Sequence, residues 1–408
     1  MKCHLLVLLC ALCAVTLSPI SSDASGKPIA ILTASDGAAG DDMGLSVAIA
    51  SNTIYAANFT FDRGKDSTIY IFQKPNGGWT NMTETARLTV PSGDHNRGYT
   101  DIGAISATNE VVVAASRSGL GCGNLYVFQR PRSGWANMTP TAILRPTSCD
   151  TFGWSVAIDG DTIVAGDPGC TGNGDFAPGT AYIFQKPKAG WHNMTQTAVL
   201  SATDAIGCDV FGASVAVSGN TVVVGASRGG FDPPVGPGEV YIYEKPQNGW
   251  HDMTQTAELS AMTEVRLNQL GSRVGIGGDT VAATGRNTVQ GEAISVYVKP
   301  LGGWTDATPN ATLLGIGPGM LAVDQRGVTI VSGTPYSLQN GAGVVRSYVE
   351  PPSGWQDAAN ANHIFTGLSD IDDLGYGVGV DAATIVAGAP GAIVNGNAGQ
   401  GAVYVYAK

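Results

Sequence analysis

The sequence has few charged residues and, after its first residues, no long apolar segment. Charged side chains make up 13% of the 408 residues, and the net charge is −11 at pH 7. Because the apolar fraction is 43%, the composition is not that of a disordered chain. An acidic chain is a poor partner for phosphate backbones, so we expect no nucleic-acid ligand. No later segment is apolar for long enough to cross a bilayer, so no membrane span is predicted.

Residues that carry catalysis are also scarce. The chain has five histidines, and His192 and His251 stand at equivalent positions after Gly-Trp. Neither a Gly-x-Ser-x-Gly elbow nor a His-Glu-x-x-His zinc motif is present. We therefore expect a protein that is not an enzyme and has no catalytic residues. The alternative is an extracellular carbohydrate-active enzyme whose carboxylates meet at one mouth of the fold, since glycosidases need paired carboxylates.

The first residues have the pattern of an export signal. Met1-Lys2 precede an apolar run from Leu5 to Leu17, and small and polar residues follow to Gly26. A positive start, a short apolar stretch and a small-residue cleavage zone are typical of a secretory signal peptide, which we place at residues 1–22. The protein is then predicted to be secreted.

Glycine is abundant, with 56 residues, roughly twice its usual share. The glycines belong to a repeat. A Gly-Trp pair follows an aromatic-rich run six times, at Trp79, Trp135, Trp191, Trp250, Trp304 and Trp355. Seven copies of a second phrase, such as FGWSVAIDGDTIVAG, have two runs of small and β-branched residues around a short polar turn. This pattern predicts a hairpin.

Each repeat predicts four short strands, which is typical of a propeller blade. In the third repeat we predict Trp154–Ile158, Thr162–Ala165, Thr180–Gln185 and Thr197–Ser201. The seventh repeat ends with its third strand, Gly401–Tyr406, while the mature chain begins with Pro28–Asp36, which resembles a fourth strand. We therefore predict an all-β, seven-bladed β-propeller at 23–408, with four antiparallel strands per blade. The N-terminal strand completes the last blade and removes the free sheet edges.

The phrases Phe152-Gly-Trp-Ser-Val-Ala-Ile, Phe211-Gly-Ala-Ser-Val-Ala-Val and Ala387-Gly-Ala-Pro390 resemble FG-GAP repeats. Such repeats form the N-terminal seven-bladed propeller of integrin α subunits, and the resemblance covers essentially the whole mature chain. It is specific for the fold and weak for the function, because one fold supports many unrelated binding roles.

The resemblance also implies calcium loops between the first two strands of some blades. Here the corresponding segments, such as Asp159-Gly-Asp-Thr, are two-residue hairpin turns, so the family's calcium loop is absent and we expect no cofactor. Weak metal candidates stand just before first strands, at Asp41, Asp42, Asp370, Asp372 and Asp373. We favour the simpler interpretation that these aspartates accept backbone hydrogen bonds at turns.

Four cysteines remain after the signal: Cys122, Cys149, Cys170 and Cys208. An even number in an exported chain favours disulfides. Cys122 and Cys170 precede third strands, whereas Cys149 and Cys208 follow fourth strands, and these strands are antiparallel neighbours. We therefore predict Cys122–Cys149 and Cys170–Cys208.

Glycosylation sequons are present at Asn58, Asn81, Asn137, Asn193 and Asn310, and they are usable only in a host that modifies them.

The six tryptophans of the Gly-Trp loops have two interpretations. They either pack between blades, which we favour because they recur in every copy, or form sugar-stacking platforms of a lectin. We expect a binding or adhesion module that recognises an extracellular protein or glycan through loops at the faces of the propeller. The candidate ligand-binding residues lie in loops that vary between repeats: Arg117, Asp175, Arg228, Phe231 and Asp232. A structural coat component is a further alternative, and the oligomeric state is not predicted.

Overall fold

The computed structural model describes residues 26–59, 66–91, 101–118, 121–169, 177–228, 237–261, 267–287, 291–316, 319–335 and 341–408. The predicted signal peptide lies outside these ranges. The described residues form strands and turns without a helix, and they include no helix that is long and apolar enough to cross a membrane. Seven sheets, each with four antiparallel blade strands, follow one another along the chain, as predicted for seven blades.

The strands of the seven blades occupy the same four places in each repeat. The first strands are Ser46–Ala50, Asp101–Ala107, Ser155–Asp159, Phe211–Ser218, Val274–Gly277, Leu321–Val323 and Val378–Asp381. The second strands are Thr53–Ala57, Val111–Ser118, Thr162–Asp167, Thr221–Ala226, Thr280–Asn287, Thr329–Thr334 and Thr384–Ala389. The third strands are Ser67–Gln73, Gly121–Gln129, Thr180–Gln185, Glu239–Glu244, Gly291–Val298, Val344–Val349 and Ala402–Ala407. The fourth strands are Ala86–Val90, Ala142–Leu144, Ala198–Ser201, Ala257–Leu259, Ala311–Ile316, His363–Thr366 and, in blade 7, Ala30–Thr33. Three two-residue strands lie outside this scheme: Met82–Thr83, Met253–Thr254 and Leu267–Asn268.

The ring closes as the sequence predicts. Ala30–Thr33 pairs antiparallel with Ala402–Ala407, with Ala30 opposite Val405 and Leu32 opposite Val403. Blade 7 therefore combines three strands from the end of the chain with one from its beginning. This arrangement removes the exposed edges that an open array of sheets would present.

The hydrophobic core lies between blades. Each of seven apolar clusters among the described residues joins two neighbouring blades, including blades 7 and 1. In the third strand of blade 2, Tyr126 and Phe128 pack toward blade 1, and Leu125 and Val127 pack toward blade 3. Successive side chains of a strand point to opposite faces. A central strand of a propeller is therefore buried on both faces and reads as a continuous apolar run.

Candidate functional site

The ring has two different faces. On one, which we call the turn face, the first and second strands of each blade are joined by short hairpin turns, such as the turn between Asp159 and Thr162. On the other, the loop face, the second strand is joined to the third, and the fourth is joined to the next blade. Of the predicted ligand-binding residues, Arg117 and Arg228 are described, and they lie at or just after the loop-face ends of their second strands.

The turn face carries bonds that tie neighbouring blades. The Asp159 carboxylate accepts a hydrogen bond from the Gly219 N–H of the next blade at 2.6 Å, and Asp381 accepts one from Ser51 across the closure of the ring. Lys299 pairs with Glu244 of the preceding blade at 2.5 Å. These contacts recur around the ring, which indicates a structural role for this face.

The Gly-Trp loops also serve the blade packing. Their six tryptophans are only 5–7% exposed, and each lies in the apolar cluster between its own blade and the preceding one. The packing interpretation is confirmed. The lectin alternative based on these tryptophans is wrong, because a buried ring cannot stack on a sugar.

One side chain in each Gly-Trp loop docks on the preceding blade. The Oδ1 atom of an Asn or Asp two residues after the tryptophan accepts a hydrogen bond from a backbone N–H of the preceding fourth strand, at 2.7–2.9 Å. The six acceptors are Asn81, Asn137, Asn193, Asp252, Asp306 and Asp357.

The five sequons thus have different surroundings. Asn81, Asn137 and Asn193 are exposed, and the structural role of their position is met equally by Asp in three blades. Asn310 is exposed and accepts a hydrogen bond from Val298 N–H at 2.7 Å. Asn58 is buried and accepts one from Thr68 N–H at 2.7 Å, so Asn58 is poorly placed for a glycan. Glycosylation of the other four stays a prediction.

The structure contains the predicted Cys122–Cys149 disulfide, whose Cα atoms are 5.4 Å apart. It links the third strand of blade 2 to the residues after the fourth strand. Cys208 is also in a disulfide. Its predicted partner, Cys170, lies outside the described residues, so that pairing stays a prediction.

The predicted ligand-binding residues meet different outcomes. Asp175, Phe231 and Asp232 lie outside the described residues. Arg117 pairs through its backbone with Asp101 in the hairpin of blade 2. Arg228 is held by carboxylates of its own chain.

Arg228 is the centre of an ionic cluster on blade 4. Its guanidinium lies 2.7 Å from Glu239, 3.2 Å from Asp209 and 3.3 Å from Asp204. The Tyr241 hydroxyl contacts both Glu239 and Asp204, at 2.7 and 2.9 Å. These contacts favour a structural role for Arg228, and its predicted ligand contact is untested.

The same cluster contains the carboxylates that come closest to a metal site among the described residues. One oxygen each of Asp204, Glu239 and Glu258 lies within 4.8 Å of the others. Burial raises the pKa of both Glu239 and Glu258. Because Arg228 and the Tyr241 hydroxyl already bind Asp204 and Glu239, the cluster is compensated without an ion.

Two of the five weak metal candidates, Asp41 and Asp372, accept hydrogen bonds at turns, the interpretation that the sequence favours. Asp41 accepts a hydrogen bond from Ala38 N–H at 2.7 Å. Asp372 accepts from the Leu368 and Ser369 N–H groups at 2.7 and 3.1 Å, and from the Tyr404 hydroxyl at 2.8 Å. Asp370 is exposed in the same loop.

Asp42 and Asp373 differ from these capping residues. Both line a cavity of about 410 Å³ on the loop face, together with Arg273 and Tyr376. Burial raises the pKa of each carboxyl, and a neighbouring carboxylate adds to the rise, Asp41 for Asp42 and Asp372 for Asp373.

The mouth of the central channel on the loop face departs from the repeat. At one position, seven residues, one from each blade, line a cavity of about 180 Å³ there. They are Ser46, Ala104, Ser155, Ser214, Arg273, Met320 and Gly377. Five of the seven are small, so the fold does not require the two large side chains.

Arg273 lies in this mouth without a carboxylate partner. Its Nη1 donates to the Ser272 carbonyl at 2.8 Å and its Nε to the Met320 sulfur at 3.3 Å. Among the described residues, no carboxylate is within ion-pair distance of the guanidinium. Trp154 lines the same cavity and is 41% exposed. Sequence reasoning missed both residues. An alignment of the repeats could have identified them, because each is a large side chain at a position where most other repeats have a small one.

Comparison with known protein families identifies the type of repeat. A family model for the FG-GAP repeat matches residues 28–72, 147–184 and 194–243. The chain carries FG-GAP repeats. Together with the seven observed blades, they make the fold consistent with an integrin α N-terminal-like propeller.

Two further comparisons give no information about the function of this protein. No curated protein matches the chain. Among solved structures, the chain is similar to the computationally designed Ika8 protein, with 11% identity and a TM-score of 0.45. That match covers 94% of this chain and all of the designed one.

The FG-GAP glycines have a clear role between blades. Gly212, from the Phe-Gly pair of blade 4, has φ +89° and lies against Gly166 in the second strand of blade 3. A Cβ on Gly166 would overlap the carbonyl oxygen of Gly212. The two glycines of the motif thus let the second strand of one blade approach the first strand of the next.

Proposed function

We propose that this FG-GAP propeller is a secreted, non-catalytic binding or adhesion module that recognises an extracellular protein or glycan through its loop face. The observation that carries the proposal is the break in the repeat at the channel mouth. Arg273 and Met320 occupy a position where the other blades have Ser, Ala or Gly, and blade packing does not explain this choice. Loops and irregular positions on a rigid scaffold commonly carry function.

Two features support an extracellular location. The first residues have the pattern of a secretory signal, a disulfide joins Cys122 to Cys149, and disulfides persist in oxidising compartments. FG-GAP modules commonly mediate binding and adhesion, which agrees with a protein that lacks recognisable catalytic motifs. The proposal requires no cofactor.

The test compares variants of the two faces. Wild type is screened on a glycan array and on a panel of purified extracellular proteins. Ala213→Trp, which fills the channel mouth, is expected to weaken binding at least tenfold, while Asp279→Trp on the turn face leaves it unchanged. Thermal unfolding verifies that both variants fold. Absence of binding in both screens, or equal loss in both variants, would contradict the proposal.

A second candidate function is a carbohydrate-active enzyme that uses the carboxylates of blade 4. The proximity of Asp204, Glu239 and Glu258 and the raised pKa of both glutamates favour it, since glycosidases pair a protonated with an ionised carboxyl. A polysaccharide panel incubated with wild type and Glu239→Gln tests it. If wild type hydrolyses a polysaccharide and Glu239→Gln does not, the protein is an enzyme and the non-catalytic proposal is rejected.

A further inference from the structure

The mouth of the central channel combines an arginine and an exposed tryptophan in one small cavity. Arg273 comes from blade 5 and Trp154 from blade 3, and both line the cavity of about 180 Å³. We infer that this mouth binds a terminal sugar that carries a carboxylate group. The inference rests on the proposed function, because it names the ligand class for the loop face.

The arginine indicates the charge of the ligand. Arg273 is exposed, and among the described residues its guanidinium has no carboxylate within ion-pair distance. A guanidinium binds a carboxylate through two parallel hydrogen bonds. Glu292 lines a small cavity with Arg273 but forms no ion pair with it. A carboxylate that entered from solvent would therefore supply the close anionic partner that the guanidinium lacks among the described residues.

The tryptophan indicates a flat, largely apolar ring. Trp154 is 41% exposed, whereas the other six tryptophans of the chain are 5–7% exposed. It is thus the most exposed tryptophan of the chain, and it stands outside the Gly-Trp loops. A large aromatic face with little conformational freedom suits the C–H face of a sugar.

The size and the surrounding charge narrow the ligand further. Ligand sites for larger molecules span roughly 300–1,000 Å³, so a cavity of about 180 Å³ suits one ring at the end of a glycan. Asp42 and Asp373 line the adjoining cavity beside Arg273. Two carboxylates there would repel a polyanion, so a single carboxylate fits better than a multiply charged chain.

The experiment measures binding of four probes to the full chain by calorimetry: glucuronic acid, sialic acid, glucose and the methyl ester of glucuronic acid. At least one of the two acidic sugars is expected to bind at least tenfold more tightly than glucose and the neutral ester. Arg273→Gln is expected to remove this preference. Its matched control, Arg326→Gln on the turn face, should behave as wild type.

The tryptophan has its own test. Trp154→Ala is expected to weaken binding of the acidic sugar at least tenfold, and Trp154→Phe, which keeps an aromatic ring, should retain most of it. Equal binding of glucose and glucuronic acid, or an Arg273→Gln variant that binds as wild type, would overturn the inference. Tighter binding of a glutamate-containing hexapeptide than of either acidic sugar would overturn it as well.

The outcomes separate this inference from the proposed function. If the mouth variant Ala213→Trp loses a protein or neutral-glycan ligand while the acidic sugars do not bind, the ligand class is wrong and the binding function stands. If no ligand of any class binds, both are rejected.

Discussion

The environment of a single residue can change its charge state, and Glu292 is an example. It is the second residue of the third strand of blade 5, opposite Arg286 in the ladder, and lines a small cavity with Arg273. Burial raises the pKa of Glu292 to about 7, although Arg286 and Arg273 oppose the rise. The loss of hydration therefore outweighs the attraction of two guanidinium groups.

This shift predicts a pH dependence of stability. In the unfolded chain the carboxyl has a pKa of about 4.3, so the folded protein binds this proton more tightly. The stability from this group is present in full below that value and is lost as the pH rises through about 7. Between pH 5 and 8, the Tm of wild type should fall more than that of Glu292→Gln. Parallel Tm curves for the two proteins would contradict this, and Asp279→Asn serves as an exposed control.

The Gly-Trp loop shows how a structural element holds two blades together. In addition to its buried tryptophan, each loop forms a short parallel pairing with the preceding fourth strand, as between Leu88 and Met138. The Asn137 side chain strengthens this pairing, since it accepts a hydrogen bond from Arg87 N–H at 2.9 Å. The loop thus links its own blade to the preceding one. Its sequence recurs in six repeats because each copy makes the same contacts with the preceding blade.

Two substitutions of Asn137 test the contribution of this hydrogen bond to stability. Asn137→Ala removes the acceptor and is expected to destabilise the fold by about 1 kcal/mol, the usual net value of one hydrogen bond. Asn137→Asp should leave the free energy of unfolding nearly unchanged, because Asp makes the same bond in three other blades. Chemical denaturation measures both. Equal destabilisation by Ala and Asp would show that the amide itself matters.

The whole molecule depends on the joint between its two ends. Leu32 in the N-terminal strand is fully buried, in a cluster that joins blades 7 and 1. Its counterpart in the third blade is Leu200, which is buried to the same degree. Because the ring is closed, the N-terminal strand should contribute as much to stability as an internal strand.

The matched pair Leu32→Ala and Leu200→Ala tests this closure. Each is expected to cost about 2–5 kcal/mol, the usual range for truncating a buried leucine, and the two losses should agree within about 1 kcal/mol. Chemical denaturation measures the losses, and hydrogen exchange should show similar protection for residues 30–33 and 198–201. A much smaller cost for Leu32→Ala would show that the N-terminal strand is loosely attached.

Much of the fold follows from local patterns that survive in every repeat. In the third blade, the predicted Thr180–Gln185 matches the observed strand, and Thr197–Ser201 differs from it by one residue at its start. The predicted second strand, Thr162–Ala165, continues to Asp167, since the strand extends as far as its partner. The burial of the tryptophans and the Cys122–Cys149 pair also follow from the repeat.

The candidate site was predicted less well. Arg228 is in a variable loop, as noted from the sequence, but its contacts with Asp204 and Glu239 depend on residues from two blades. Trp154 and Arg273 are two repeats apart in the chain, and no local pattern connects them. They share a cavity because the first strand of every blade faces one channel.

The sequence by itself determined the number of blades, the four-strand plan of a blade and the closure of the ring, because these depend on periodic residues that each repeat carries. Only the tertiary structure decided which tryptophan is exposed and which charged groups meet. Those facts depend on distances between blades, and the channel mouth gathers residues that the chain keeps far apart.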